Sequence, residues 1–222
     1  MKSFFKTILL AACSCMLMFQ LASCLSDSDN SSNSTVLTPQ EAAHYLQTVQ
    51  GTYVGKIKLY HYVKNIYGGD SVAADSVTNY TMHINASDSM AHLTVPARLL
   101  AYTTKSNEKL SKAIAKATDP TLKFKLLPYR GFDDDSRYMS FQFIPYEPLS
   151  VDVSYDEGET HNVNLKFALN TTFANSNVNV MAIYSTSDRM IEFMFIPYEY
   201  QMDGKNNFYA AKSVFDFYGK KQ

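Results

Sequence analysis

Through most of its length beyond Thr52 the sequence alternates apolar and polar residues. This two-residue rhythm restricts the chain to pleated strands with one face turned to a core. Ile57, Leu59, His61 and Val63 fall on one face of the first such stretch, and Lys56, Lys58, Tyr60 and Tyr62 fall on the other. Gly68-Gly69-Asp70 is a turn signal. Strands are expected from Val77 to Ile84 and, after Ser87-Asp88-Ser89, from Ala91 to Val95, where Pro96 stops them. Val151, Val153 and Tyr155 alternate, Asp156-Glu157-Gly158-Glu159 turns the chain, and Val163, Leu165, Phe167 and Leu169 alternate back. Strands near Asn177 to Tyr184 and Phe208 to Tyr218 bring the expected total to about nine.

One phrase occurs three times. Leu122-Lys123-Phe124-Lys125-Leu126-Leu127-Pro128-Tyr129 returns as Met139-Ser140-Phe141-Gln142-Phe143-Ile144-Pro145-Tyr146, and again as Ile191-Glu192-Phe193-Met194-Phe195-Ile196-Pro197-Tyr198. Each copy alternates and then reaches Pro-Tyr. Proline lacks the donor that a ladder needs, so the phrase is expected to mark a strand exit. Unequal spacing excludes a solenoid or propeller period, while a duplication of the last two copies stays open.

Two helices interrupt the strands. Thr38-Pro39-Gln40-Glu41 supplies a cap, a first-turn proline and a capping-box glutamate. Ala42, Tyr45, Leu46 and Val49 then share one face before Gly51. Leu110, Ala113, Ile114 and Ala117 have helical spacing behind Asn107, and Asp119-Pro120 ends the run. Lys105, Lys109, Lys112 and Lys116 on its polar side read as a solvated face. The fold expected is mainly β, an antiparallel β-barrel or a β-sandwich with one or two short flanking helices.

The N-terminus has a different grammar. Lys2 and Lys6 precede an apolar run from Ile8 to Phe19, with no acidic residue before Asp27, as in a secretory signal. The run is too short for a good membrane-spanning helix, which needs ~20 apolar residues. Leu21-Ala22-Ser23-Cys24 resembles the bacterial lipobox, which implies cleavage before Cys24 and lipid on its sulfur and amine. Leu10-Ala11-Ala12-Cys13 fits the same pattern, but cleavage there would leave Met16-Leu17-Met18-Phe19 in the mature chain. Residues 24–36 are rich in Ser, Asp and Asn and are expected to be a flexible tether. Asp27 and Asp29 partly resemble an acidic surface-export signal, with Ser28 interrupting it. Residues 1–23 are thus read as the signal peptide and 37–222 as a single β-rich domain.

Composition bounds the partners. With Lys2 and Lys6 removed, the 20 basic residues fall to 18 against 21 acidic ones, a net charge of −3 and a poor match for nucleic acid. Of three cysteines only Cys24 would survive cleavage, so no disulfide and no thiol nucleophile remains. Sixteen Tyr and fourteen Phe suit pleated surfaces.

Leu37-Thr38-Pro39-Gln40-Glu41 followed by Gly51-Thr52-Tyr53-Val54-Gly55-Lys56 resembles the opening of an uncharacterised family of Bacteroidetes lipoproteins. Leu93-Thr94-Val95-Pro96 with Leu99, and Val153-Ser154-Tyr155-Asp156 through His161-Asn162-Val163, are similar to its later motifs. The resemblance implies a lipocalin-like (calycin) barrel and an outer-membrane address, on either face. It implies no reaction.

Chemistry is sparse. The sequence has no nucleophile elbow, phosphate loop or dinucleotide fingerprint. His44, His61, His83, His92 and His161 show no metal-ligand spacing, so no metal and no cofactor is expected. His83 and His92 are placed to face each other across a hairpin, with Asp88 near its tip. Asp133-Asp134-Asp135 reads as a hairpin tip rather than a calcium loop. His61, on an apolar strand face, and Tyr60 and Tyr62, beside lysines, are the candidate ligand contacts. Glu147 and Glu199 follow two Pro-Tyr corners and are the one carboxylate pair in equivalent positions. The leading expectation is a non-enzymatic, lipid-anchored binding domain for a small apolar or amphipathic ligand or an envelope partner. The alternative is a structural or interaction protein of the outer membrane, and the third is a hydrolase using Glu147 and Glu199.

Overall fold

The computed structural model describes residues 37–65, 68–130, 137–155, 158–168, 170–173, 176–179, 181–208 and 213–222. The expected signal, the expected anchor at Cys24, the expected tether and the Asp133-Asp134-Asp135 run lie outside them, as do the side chains of His61 and Tyr62. In chain order, helix α1 (Pro39–Val49) leads into strands β1 (Gly51–Asn65), β2 (Gly68–Asn85) and β3 (Met90–Thr94). Helix α2 (Ala97–Leu100) runs into a 3-10 turn (Ala101–Thr104), and α3 (Glu108–Ile114) follows. Then come β4 (Thr121–Tyr129), β5 (Tyr138–Pro145), β6 (Leu149–Tyr155), β7 (Glu159–Ala168), β8 (Asn170–Phe173) and β9 (Ser176–Asn179). Strands β10 (Met181–Ser185), β11 (Met190–Met202), β12 (Lys205–Phe208) and β13 (Ser213–Lys221) complete the described chain.

Eight of these strands close a barrel, which decides between the two architectures the alternation allows. Each stave pairs antiparallel with the next one along the chain, in the order β1, β2, β3, β4, β5, β10, β11, β13, and β13 returns to β1. This is the up-and-down plan that lipocalins also use. The excursion β6–β9 is inserted between two neighbouring staves. Within it β6 and β7 extend a second sheet along the far half of β11, β12 lines that half's other edge, and among the described residues β8 pairs only with β9.

Alternation turns Ile57 and Leu59 inward, with Met82, Leu93, Phe124, Phe141, Phe143, Phe193, Phe195, Phe215 and Phe217, and none of these is more than 1% exposed. Lys56, Lys58, His83, His92, Lys123, Lys125 and Glu192 stand on the outer wall between them. An apolar inside and charged outside reverse the pattern of a membrane-spanning barrel. Phe143 stacks on Phe193 at 4.4 Å between centroids, and Phe124 meets both edge-on at 5.6 and 5.3 Å. Phe195 stacks on Phe215 at 5.0 Å. A lumen able to hold a ligand would leave these rings accessible from within, and they are not.

Both rims are covered. At the rim where β1 starts lies α1, whose capping box forms as its sequence requires: Glu41 N donates to Thr38 Oγ1 and Thr38 N donates to Glu41 Oε2. The bonds it accepts from Thr38 N and Thr38 Oγ1 hold the Glu41 carboxyl below its ordinary range. Tyr53, fully buried, donates its hydroxyl to Val49 O at 2.6 Å, and Lys221 donates to Thr48 O at 2.9 Å. At the opposite rim α2, its 3-10 turn and α3 bring buried Leu99, Leu100, Leu110 and Ile114 into one core with Val151 and Val153 of β6. Helical spacing placed Leu110 and Ile114 on the buried face correctly. It missed the turn-rich run from Ala97 to Thr104, where four residues per element are too few to show a helical period, and it extended α3 beyond its real end at Ile114.

One buried charge on the wall gives a prediction. Asp216 is 8% exposed, and among the described residues its buried Oδ1 has no hydrogen-bond partner. Burial, and then the neighbouring Glu192, push its carboxyl above the ordinary aspartate range, while Lys58 opposes them. The folded state therefore holds a proton that the unfolded chain releases. Stability falls as pH rises from the ordinary aspartate value through the raised one, and stays flat above it. Asp216→Asn removes the buried charge and should stabilise the protein at neutral pH. Urea titrations at several pH values should show that gain shrinking towards acid.

Candidate functional site

The repeated phrase organises the most distinctive surface. Strand β10 pairs on one side with β5 and on the other with β11, and Ala182 stands opposite both Phe141 and Phe193. The last two copies of the phrase are therefore in the same register, parallel to each other and one strand apart. They carry their Pro-Tyr-Glu ends to the same rim. The first copy is antiparallel to them, since Phe124 pairs with Pro145 and Pro128 with Phe141, so its Pro128-Tyr129 leaves at the opposite rim.

The two equivalent corners behave differently. β5 ends at Pro145, as an exit device should. β11 does not end: its pairing with β13 reaches Phe195, and from Ile196 it pairs with β7 instead, with a register shift between Pro197 and Glu199. Expecting an exit at Pro197 is corrected to a change of partner. The missing N–H costs the barrel nothing there, because the barrel ladder has already stopped, and the shift accommodates the ring.

Between the corners lies a groove of about 190 Å³. Pro145, Tyr146, Glu147 and Pro148 form one bank, Tyr198 belongs to the other, and Lys166 and Phe167 of β7 join them. Tyr146 is 64% exposed and Tyr198 45% exposed. The charges beside the groove are paired. Lys166 Nζ lies 2.5 Å from Glu199 Oε1, with Glu199 only 8% exposed, and Lys123 Nζ lies 2.6 Å from Glu147 Oε1. The hydrogen bond that Lys166 Nζ donates to Glu199 holds the ammonium above its ordinary range. What the site offers is a neutral, aromatic and proline-lined cleft with a polar rim.

A model of a domain of unknown function, DUF4840, matches residues 48–202. The chain belongs to the DUF4840 family. Neither a curated protein nor a solved structure matches it. The matched stretch of the DUF4840 domain includes both Pro-Tyr corners and the β6–β7 pair that completes the groove.

Other sequence candidates lie apart from this groove. Tyr60 is partly buried on the wall opposite Val214 and does not line the groove; His61 pairs through its backbone with Val72 and Ser213, and its side chain and that of Tyr62 lie outside the described residues. His83 and His92 do stand directly opposite each other and exposed, with His83 Nδ1 2.9 Å from Thr52 Oγ1. Among the described residues of the DUF4840 domain no group of three or more His, Cys, Asp or Glu is arranged to hold a metal. Sequence reasoning gave no weight to His161, which Asp203 Oδ2 holds at 2.7 Å and on which Tyr155 stacks at 4.5 Å. Only the turn between β11 and β12 brings Asp203 there, so no local spacing signals it. The repeat marks Tyr146 and Tyr198 as equivalent positions, but that they share one groove follows from the pairing of β10 with both copies, which no local spacing signals.

Proposed function

We propose that this chain is a lipid-anchored, non-enzymatic cell-envelope protein of the outer membrane, carried on Cys24, that binds an envelope partner through the groove between its Pro-Tyr corners. The observation behind this reading is the contrast between a barrel filled by its own rings and two exposed tyrosines flanking a cleft. That contrast favours a surface partner over a small apolar ligand in the lumen. Each of the two carboxylates is already held by a lysine, which suits a rim and not an acid–base pair. The anchor rests on the lipobox resemblance of Leu21-Ala22-Ser23-Cys24 and on the polar composition that follows it.

Two experiments test this. Cys24→Ala should move the protein from the membrane fraction to the soluble fraction and abolish labelling by a lipid precursor, while Cys13→Ala should change neither. Protease added to whole cells then reports which face of the membrane carries the domain. For the groove, photo-cross-linking residues at positions 146 and 198 should trap one common partner in cells. The same residue at 138, an exposed tyrosine at the other rim, should not. Equal adducts at all three positions would count against the groove.

A further inference from the structure

His83 of β2 and His92 of β3 are direct register partners, inside a ladder that runs without a shift from Met82 opposite Leu93 to Asn85 opposite Met90. Residues directly opposite each other in an antiparallel pair have Cβ atoms about 4.5–5.5 Å apart. Both histidines are exposed, while their chain neighbours Met82, Ile84, Ala91 and Leu93 are buried, so both imidazoles leave the same outer face of the barrel. Thr52 of β1 is the partner of His83 on its other side, and its Oγ1 lies 2.9 Å from His83 Nδ1. The two nitrogens of an imidazole sit on opposite edges of the ring. With Nδ1 held towards β1, the Nε2 edge of His83 is turned towards β3, where His92 stands. The tautomer that donates Nδ1–H to Thr52 leaves Nε2 with a free lone pair, and a hydrogen bond at the other ring nitrogen is what metal-bound histidines almost always make. We infer that His83 Nε2 and the His92 imidazole together bind one divalent transition-metal ion, copper(II) most tightly, on the outer wall of the barrel.

Metal–imidazole bonds are about 2.0–2.1 Å long, so two rings rising from opposed positions can close on one ion, with water filling its remaining positions. Two protein ligands make an open, exchangeable site rather than a closed structural one. Nitrogen ligands hold copper(II) more tightly than nickel(II) or zinc(II), which sets the expected preference. Two lysines of β4 lie on the same face, and both reach away from the pair. Lys123, beside His92, is drawn to Glu147 Oε1 at 2.6 Å, and Lys125, beside Met90, donates to the carbonyl oxygen of Asp88 at 2.6 Å. Spacing along the chain does not reveal this pair, because the pairing of β2 with β3 brings it together.

The test is calorimetric titration of full-length protein in detergent with copper(II), nickel(II) and zinc(II), followed by electron paramagnetic resonance of the copper(II) form. Copper(II) should bind saturably and more tightly than the other two ions. His83→Ala and His92→Ala should each weaken it roughly tenfold or more, since either leaves one imidazole without the effective concentration of the second. Thr52→Val keeps both ligands and should weaken binding about tenfold, the scale of an outer hydrogen-bond partner. His44→Ala, which removes an exposed histidine on α1, should change nothing. His83 and His92 are exposed, so both variants should fold, and unchanged urea midpoints without metal verify it. The copper spectrum should show two nitrogen ligands in the unaltered protein and one in either variant. No saturable copper binding overturns the inference. So does binding that survives both histidine substitutions, or a spectrum of the unaltered protein with a single nitrogen. An unchanged affinity in Thr52→Val overturns the assignment of Nε2 as the His83 donor.

Discussion

Gly55→Ala is expected to be the most damaging small substitution in the domain, lowering the unfolding free energy by about 3 kcal/mol or more. Gly55 of β1 stands opposite Gly219 of β13, on the seam where the barrel closes. A Cβ at position 55 would overlap the carbonyl oxygen of Tyr218 and lie 2.5 Å from Gly219 Cα. Both obstacles are backbone, so no rotamer change relieves them. Loss of chain entropy from the unfolded state favours alanine over glycine by only about 0.4–1 kcal/mol and cannot offset the clash. Gly219→Ala makes a useful comparison. Its Cβ meets the far edge of the Phe217 ring at 2.5 to 2.6 Å and Tyr53 Cβ at 3.3 Å. A ring can shift where a carbonyl cannot, so the cost should be smaller, about 1–3 kcal/mol. Urea midpoints of the two variants rank them directly, and a Gly219 variant less stable than its Gly55 counterpart would contradict this account of the seam.

Phe193→Ala should cost about 3–5 kcal/mol, the upper range for core truncations. The ring touches four others, stacking on Phe143 at 4.4 Å and meeting Phe124, Phe195 and Phe217 at 5.3, 5.8 and 5.6 Å. Neighbours drawn from three other staves cannot all collapse into the space left behind, so a cavity should persist and stay dry. Phe193→Leu keeps most of the volume and should cost markedly less. The pair also distinguishes a packed lumen from a binding cavity. Were Phe193 one wall of an open pocket, its truncation would be cheap, below about 1 kcal/mol, and denaturant curves would show it.

Period-two alternation made the β class legible, because a residue and its second neighbour must point the same way whatever the sheet does. It placed Ile57 and Leu59 inside and set His83 against His92. It could not give element ends. β2 begins at Gly68 rather than near Val77, since Asn79 at φ 63 and the shifts at Gly55/Lys56 and Leu59/Tyr60 break the rhythm that marks a strand. Thirteen strands are described where about nine were expected: β8 and β12, at four residues each, are too short to alternate visibly, and the stretch expected as one strand near Asn177 to Tyr184 is two, β9 and β10, with different partners. Of the candidate site, Pro145-Tyr146-Glu147 and Pro197-Tyr198-Glu199 were visible as a repeat. Their convergence was not, because it depends on β10 pairing with both copies, a partnership between residues distant in sequence. His61, Tyr60 and Tyr62 drew attention through strand periodicity, which reports facing and says nothing about which rim a side chain reaches.

The closing seam has a kinetic consequence. Tyr53 pairs with Lys221, so nearly the whole domain must be made before its first stave finds its last. Contacts of such long range carry the loop-closure cost early and return their stabilisation late, which places this barrel among slow folders, on the scale of milliseconds to seconds. Until β13 arrives, β1 and β11 each present an unpaired edge, and β11 does so beside the most ring-rich stretch of the chain. Unpaired edges are templates for pairing with other chains. The domain should therefore be most vulnerable to aggregation in the interval between synthesis and closure, and a holdase that covers either edge should raise the yield of folded protein without changing its final stability.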